Sequence, residues 1–211
     1  MTADDLLNAI RRQFAIPVLR MKHAEDLFET SRALARGGLE IVEVTLMSDA
    51  AHDAIRALAL DRRVVVGAGT VRTVIQAEKA IEDGAEFIVS PGFSMDIAQV
   101  CSEAEIFHVP GAMTPSEVMA ASRAGFSMIK IFPAAAVGGP VYLKHLAGPF
   151  PDLEWMATGG IGLGDLAAYK KAGASAVGLG SQLLPQGAVE GARWLEVEAS
   201  ARTVHDAIKK F

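Results

Sequence analysis

The chain has 211 residues, of which 51% are apolar and 21% are charged, and its formal net charge is −5. This composition is typical of a folded globular protein and excludes a disordered chain, and the negative charge provides no basic surface for nucleic acid. A single cysteine, Cys101, allows no intrachain disulfide, and the sequence has neither a signal-peptide pattern nor an apolar run of membrane-spanning length. We therefore expect a cytoplasmic protein without nucleic-acid or membrane partners.

Eight apolar segments of strand length recur along the chain, and each is followed by an alanine-rich, helix-like segment. In chain order these strands are AIPVLR, EIVEVTL, RVVVGAG, EFIVSP, IFHVPG, SMIKIF, LEWMATGG and SAVGLGS. Short strands that alternate with helices predict parallel strand–helix–strand units, and eight of them fit a closed (β/α)8 TIM barrel; an open doubly wound sheet is the competing arrangement. We expect one barrel domain over residues 1–211, with an additional helix at about 3–12 and a closing helix at about 188–210.

Active sites of such barrels lie at the carboxyl ends of the strands, so the residues there are candidates. Arg20 ends the first strand, where its guanidinium could bind a carboxylate or phosphate, or form a surface salt bridge. Thr70 follows the third strand, where its hydroxyl could contact a substrate carboxylate or cap the next helix. Both alternatives stay open for both residues.

The second strand, EIVEVTL, carries an acid between two valines. Glu43 shares one face of this strand with Ile41 and Thr45, while the valines point to the other face. A buried carboxylate is costly unless it is paired or functional. The two hypotheses are an ion pair with Lys130 and a proton shuttle beside reacting carbons.

The sixth strand, SMIKIF, contains a lysine within an apolar, β-branched run. Lys130 shares a face with Met128 and Phe132, and neither face of a barrel strand is freely solvated. Burial favours the neutral amine, which is the nucleophile that forms a Schiff base with a carbonyl. The alternatives are a lysine that extends to solvent or one that pairs with a carboxylate.

Two glycine-containing turns follow the last two strands. Gly159 and Gly160 come after the seventh strand, before a predicted helix start at Asp165, and Gly180 and Ser181 come after the eighth. In this fold the loops at these positions often bind a phosphate through backbone N–H groups. Ordinary turn formation is the alternative.

The remaining polar and aromatic residues indicate structure rather than a metal site. The five histidines are scattered without ligand-like spacing, and we expect His108 to be a hydrogen-bonded core residue. Phe150 and Trp155 are interpreted as core or interface residues. Thr114, with Glu117 three residues later, predicts a helix cap.

Taken together, these motifs resemble a known family, the 2-keto-3-deoxy-6-phosphogluconate (KDPG) aldolases, which are class I aldolases of the Entner–Doudoroff route. The resemblance extends from about Ile16 to about Leu184. The motifs that carry it are PVLR, EVTL, GAGTV, SPGF, PGAMTPSE, IKIFPA, AGPFP, ATGGI and GLGS.

The resemblance implies a role for each candidate residue. Lys130 corresponds to the Schiff-base lysine and Glu43 to the general acid/base. The positions that it assigns to substrate binding are Arg20, Thr70, Pro91, Phe132 and Thr158, and those that it assigns to phosphate binding are Gly159, Gly160, Gly180 and Ser181. It further implies a small-molecule substrate, a homotrimer, and no metal or cofactor.

Some positions depart from the family pattern. Met47 stands where many members carry an arginine, and Ala135 stands where a glutamate is common. Thr158 favours KDPG over its galactonate epimer, because aldolases for the epimer commonly have an aliphatic residue there. Four alternatives remain: an aldolase for that epimer, one for 4-hydroxy-2-oxoglutarate, a phosphosugar isomerase or epimerase, and a non-catalytic phosphosugar-binding barrel.

Overall fold

Strands and helices alternate along the whole chain in the computed structural model, which describes residues 1–211. The helices are α1 (Ala3–Gln13), α2 (Ala24–Arg36), α3 (Ala50–Asp61), α4 (Val74–Glu82), α5 (Met95–Glu103), α6 (Pro115–Arg123), α7 (Gly139–Ala147), α8 (Leu166–Lys171) and α9 (Trp194–Ile208). The strands are β1 (Ala15–Leu19), β2 (Ile41–Thr45), β3 (Val65–Gly69), β4 (Phe87–Val89), β5 (Phe107–Val109), β6 (Gly111–Ala112), β7 (Met128–Ile131), β8 (Glu154–Thr158) and β9 (Ala176–Leu179). None of the helices combines the length and the apolar character needed to cross a membrane.

The sheet closes into a barrel through a strand that is divided at Pro110. All strand pairs are parallel, in the order β5-β4-β3-β2-β1-β9-β8-β7-β6. The two ends of this order, β5 and β6, are pieces of one chain segment, and Pro110, which has no N–H group, lies between them. The Lys130 N–H donates to the Pro110 carbonyl at 2.8 Å. The predicted (β/α)8 barrel is therefore confirmed, and the open sheet is wrong.

The barrel has an apolar lumen that α1 closes at one end. Inward-facing side chains such as Phe87, Met128 and Met156 form one buried cluster. Leu6, Leu7 and Ile10 of α1 belong to the same cluster, so this helix covers the amino-terminal end of the strands. A second, larger apolar cluster packs the outer face of the sheet against the helices. The opposite, carboxyl-terminal end of the lumen is left for polar side chains.

Local predictions agree with the structure except near the last helix. The N-terminal helix is present as α1, and Thr114 and Glu117 form the predicted capping box of α6. The closing helix begins at Trp194 rather than at 188, because Ala192 adopts a left-handed φ of 49° that interrupts helical geometry. Asp165 ends a short 3-10 turn, and α8 begins at the next residue.

His108 lies outside the lumen, between the sheet and the helices. Its side chain is buried, its Nε2 atom lies 3.0 Å from Ser90 Oγ, and its ring packs edge-on against Phe126. The prediction of a core histidine is confirmed, although its Nδ1 atom has no hydrogen-bond partner. Burial lowers the pKa of His108 from 6.5 to about 4. The ring therefore stays neutral in the folded protein at neutral pH.

We expect His108 to make folding stability fall as the pH falls from about 6.5 towards 4. In that interval the unfolded chain binds a proton at this residue and the folded chain does not, so the free energy of unfolding decreases by up to about 3 kcal/mol. Urea unfolding at several pH values measures this effect. A His108→Asn variant, whose amide does not titrate, serves as the control because all other groups are shared. Identical pH dependence in both proteins would contradict the prediction.

Candidate active site

Lys130 lies on the inward face of β7, one layer above the apolar lumen. Its side chain is only 6% exposed, and the residues in register with it on the neighbouring strands are Gly111 and Met156. The strand alternation that places Met128 in the lumen also turns Lys130 inward. The lysine is therefore held inside the barrel and does not extend to the outer surface.

Glu43 reaches the same position from β2, on the opposite side of the barrel. It is 1% exposed, and its Oε1 atom lies 3.4 Å from Lys130 Nζ. This distance is longer than the roughly 2.8 Å of a strong charge-assisted hydrogen bond. Its other oxygen, Oε2, is buried without any partner. The ion pair is thus present but loose, and it leaves hydrogen-bonding capacity of the carboxylate free.

Arg20 follows directly after β1 at the same end of the barrel, the carboxyl-terminal end of the strands, which we call the mouth. Its side chain is exposed, and no carboxylate forms a salt bridge with it, so the alternative of a surface ion pair is wrong. The neighbouring Thr45 donates from Oγ1 to the Leu19 carbonyl at 3.0 Å, which ties the end of β2 to the end of β1. Arg20 therefore presents an unpaired cation at the mouth.

Thr70 directly follows β3, Pro91 lies two residues after the end of β4, and both are partly buried at the mouth. Thr70 has a φ of 60°, which is unusual for a β-branched residue. It does not cap α4, because Thr73 accepts the hydrogen bond from the Gln76 N–H at 3.2 Å. The capping alternative for Thr70 is wrong.

Phe132 and Thr158 complete the wall beside the lysine. The ring centroid of Phe132 lies 5.6 Å from Lys130 Nζ, and 39% of this residue is exposed at the mouth. Thr158 ends β8 and is 6% exposed, and its Oγ1 atom is buried without a hydrogen-bond partner. Thr158 Oγ1 and Glu43 Oε2 are thus two polar atoms at this end of the barrel that the protein itself leaves unsatisfied.

The two glycine turns border the same mouth. Gly159 and Gly160 both have left-handed φ values, of 101° and 74°. The segment after β7 holds this turn, because the Ala134 and Ala135 N–H groups donate to the carbonyls of Thr158 and Gly159. The N–H groups of Gly159, Gly160 and Gly180 donate to no protein acceptor. The turns therefore present free donors that could bind an anion.

Sequence reasoning missed two glycines beneath these side chains. A Cβ atom on Gly178 would lie 2.5 Å from Thr158 Oγ1, and one on Gly69 would lie 2.5 Å from the carboxyl carbon of Glu43. Both glycines face the lumen. Gly178 lies on β9 beside Thr158 of β8, and Gly69 lies on β3 beside Glu43 of β2, so each side chain occupies the space that a Cβ atom on its neighbouring glycine would need. A glycine within a strand was the only sequence signal, and it does not identify which neighbour needs the room.

The arrangement combines an amine, a carboxylate and anion-binding groups in a water-restricted mouth. A buried lysine amine can attack a carbonyl carbon, and the adjacent carboxylate can move protons. Nowhere do three or more His, Cys, Asp or Glu side chains group as metal ligands would.

Comparison with known proteins agrees with this geometry. The family model "Aldolase: KDPG and KHG aldolase" matches residues 6–200. A 2-dehydro-3-deoxy-phosphogluconate aldolase of Haemophilus influenzae is 34% identical over 209 residues, which cover 99% of each chain. The Pseudomonas aeruginosa enzyme of the same name is 38% identical over 201 residues, which cover 93% of this chain and 88% of that one.

A solved structure extends the similarity to the fold. The KDPG aldolase of Legionella pneumophila, crystallised with pyruvate captured at low pH as a covalent carbinolamine intermediate, superposes with a TM-score of 0.87. It is 32% identical in sequence, and the match covers 94% of this chain and 97% of that one. The chain therefore belongs to the KDPG and KHG aldolase family and is an aldolase, a lyase that breaks carbon–carbon bonds.

Proposed function

We propose that this aldolase cleaves KDPG to pyruvate and glyceraldehyde 3-phosphate through a Schiff base on Lys130. The observation that carries the proposal is the buried Lys130 amine, 3.4 Å from the Glu43 carboxylate, at the end of the barrel where free N–H groups border the mouth. An amine that can form an imine, a carboxylate that can move protons and donors for a phosphate are the three parts that this cleavage needs.

The first step is attack of the neutral Lys130 amine on the C2 ketone. The carbinolamine that forms loses water and becomes an iminium, which can accept an electron pair. The position of the side chain supports this step, because the buried amine lies inside the barrel beside Glu43, where a bound ketone could reach it. Further support comes from the Legionella relative, in which pyruvate was captured as a covalent carbinolamine.

Glu43 is the proposed acid/base of the following steps. The carboxylate, directly or through a water, removes the C4 hydroxyl proton, the C3–C4 bond breaks, and its electron pair moves into the iminium. Glyceraldehyde 3-phosphate leaves, and the remaining enamine takes a proton at C3 with the help of Glu43. Hydrolysis then frees pyruvate and regenerates the amine. The unpartnered Oε2 atom supports this role, since it is free to accept a proton.

The other mouth residues are proposed to bind the two ends of the substrate. Thr70, Pro91 and Phe132 line the pyruvate part, and the unsatisfied Thr158 hydroxyl bonds to a substrate oxygen. Arg20 holds the carboxylate or the phosphate, which its lack of an internal partner supports. The phosphate-binding residues are proposed to be Gly159, Gly160, Gly180 and Ser181, because their turns present free backbone donors.

The broader biological assignments follow from the family resemblance. We place the enzyme in the Entner–Doudoroff route and in the cytoplasm, where its single buried thiol needs no oxidising environment. The chain is proposed to form one (β/α)8 domain over residues 1–211.

A second candidate substrate is 4-hydroxy-2-oxoglutarate, because the matching family includes KHG aldolases. It contains no phosphate, so it would leave the glycine turns unused.

Reduction of an enzyme–pyruvate mixture with borohydride tests the central proposal. We expect mass spectrometry to locate a reduced pyruvyl adduct on the peptide that contains Lys130. Lys130→Ala should abolish both the adduct and cleavage, because no other amine is placed beside Glu43. Lys144→Ala, which changes an exposed lysine of α7, is the matched control and should keep both. A folded wild-type protein without an adduct would point instead to an isomerase or to a binding protein.

Steady-state kinetics with three substrates test the phosphate site. We expect kcat/KM to be at least about 100-fold lower for 2-keto-3-deoxygluconate than for KDPG, since losing two hydrogen bonds to a charged group costs about 3 kcal/mol or more. Gly160→Ala should raise KM for KDPG but not for 4-hydroxy-2-oxoglutarate, because a Cβ there would lie 2.8 Å from Ala135 and the φ is left-handed. A preference for the substrates without phosphate would overturn this part of the proposal.

The homotrimer implied by the family resemblance is proposed to form through one sector of the mouth rim. Helices return antiparallel to the strands, so the first residues of α4, α5 and α7 lie at the mouth end. Ile75, Met95 and Val141 lie in the first turns of these helices and are 75%, 58% and 67% exposed. Burial of such apolar surface between subunits would stabilise an assembly.

Sedimentation analysis tests the assembly and its surface. We expect a mass near three times the 22.2 kDa of one chain. Val141→Asp should shift the equilibrium towards smaller species, because a buried unpaired charge is costly. Leu60→Asp is the control, since Leu60 is 84% exposed at the far end of α3. A monomeric wild-type protein would contradict the proposal.

A further inference from the structure

Gly69, the last residue of β3, lies directly against the side chain of Glu43. A Cβ atom built on Gly69 would lie 2.5 Å from both Cγ and Cδ of Glu43, and closer still to Oε1. Carbon atoms pack at about 3.5 to 4.0 Å, so no side chain fits between the strand and the carboxylate. The backbone of Gly69 therefore forms the surface on which the carboxylate rests.

The requirement for glycine at this position is one of space rather than of backbone conformation. Gly69 is not among the residues with positive φ, so its backbone would accept any residue. Strands favour β-branched and aromatic residues over glycine. Glycine is thus not a residue that the strand itself favours, and the three heavy atoms nearest to a Cβ atom at this position all belong to Glu43.

Glu43 has little freedom to move elsewhere if that space is filled. The carboxylate is 1% exposed and has Lys130 Nζ 3.4 Å away, and Thr45 on the same face of β2 is held by its bond to the Leu19 carbonyl. A methyl group on residue 69 would push the carboxylate towards the lysine or out into the mouth. Either displacement changes the distance between Glu43 and the carbon atoms attached to Lys130.

We propose that Gly69 is a positioning residue for proton transfer: its missing side chain sets the place of the Glu43 carboxylate relative to the imine. This inference rests on the proposed Schiff-base function. A side chain on Gly69 would meet Glu43 first, so imine formation at Lys130 does not depend on Gly69 directly. Proton transfer does, because it requires the carboxylate within hydrogen-bond reach of the reacting carbon or of a bridging water.

Pyruvate alone separates the two steps. Its C2 carbonyl and the Lys130 amine form an iminium with release of one water. A base then removes a C3 proton, the C–H electron pair forms the C2–C3 double bond, and the C–N double-bond pair moves to nitrogen. In heavy water the enamine takes up a deuteron at C3, so methyl exchange reports proton transfer, whereas borohydride trapping reports the imine.

We expect Gly69→Ala to slow methyl exchange by about 100-fold or more, the scale of a lost general base, while trapping at Lys130 keeps a comparable yield. Gly67→Ala is the matched control, with the same change on the same inward face of the same strand. Its Cβ would overlap the Phe87 ring instead of Glu43, so it should lower stability but keep exchange in the folded fraction. Wild-type exchange in Gly69→Ala, or equal loss of exchange in Gly67→Ala, would overturn the inference.

A double-mutant cycle followed by thermal unfolding tests whether Glu43 occupies the space beside Gly69. It needs no activity measurement, so it remains informative if Gly69→Ala folds poorly. We expect Gly69→Ala to lower the midpoint strongly in the wild-type background and little in a Glu43→Ala background, where the obstructing carboxylate is gone. Equal decreases in both backgrounds would overturn the inference. Failure of the wild-type protein to trap pyruvate would instead overturn the proposed function, and this inference with it.

Discussion

Lys130 and Glu43 meet across the full width of the barrel, and the rest of the molecule is arranged around that contact. Three strands separate β2 from β7 in either direction, counting β5 and β6 as one. Two opposite charges taken out of water repay their desolvation only when they are close and fully hydrogen-bonded. Here the two atoms are 3.4 Å apart and Glu43 Oε2 has no partner, so the pair is incompletely compensated. A pair built only for stability would be tighter, whereas this one keeps bonding capacity for a bound molecule.

The apolar lumen below and the small residues beside the pair make the contact possible. Inward side chains such as Met128 and Met156 fill the barrel up to the level of the lysine and exclude water from beneath it. On the neighbouring strands, Gly69 and Gly178 leave the volume that Glu43 and Thr158 occupy. Backbone bonds then fix the lysine, because its N–H donates to the carbonyl of Pro110 at the point where the barrel closes. The ion pair, the apolar packing beneath it and the hydrogen bond that closes the barrel all meet at the same layer of the barrel.

The sequence was sufficient for the fold and for the two charged residues, because both depend on local patterns. Alternation in EIVEVTL and SMIKIF turns Glu43 and Lys130 to the inward face, whichever strands lie beside them. Features that depend on neighbouring strands could not be predicted from the sequence. The space that Gly69 leaves for Glu43, for example, is recognised only once β2 is known to lie beside β3. Composition also gave a wrong start for the last helix. The alanine-containing segment before Trp194 was interpreted as helix, but the left-handed φ of Ala192 interrupts it. Thr70 and Thr73 are chemically equal candidates for a cap, and only geometry distinguishes them.

The helix that covers the amino-terminal end of the barrel has a kinetic consequence. With Leu6, Leu7 and Ile10 sealing one end, the lumen has a single opening, so reactants and products share one path. In the proposed reaction the three-carbon fragment attached to Lys130 occupies the bottom of that path, and the phosphorylated aldehyde lies nearer the rim. The aldehyde must therefore depart before water can reach the attached fragment, and the order of product release becomes a property of the architecture.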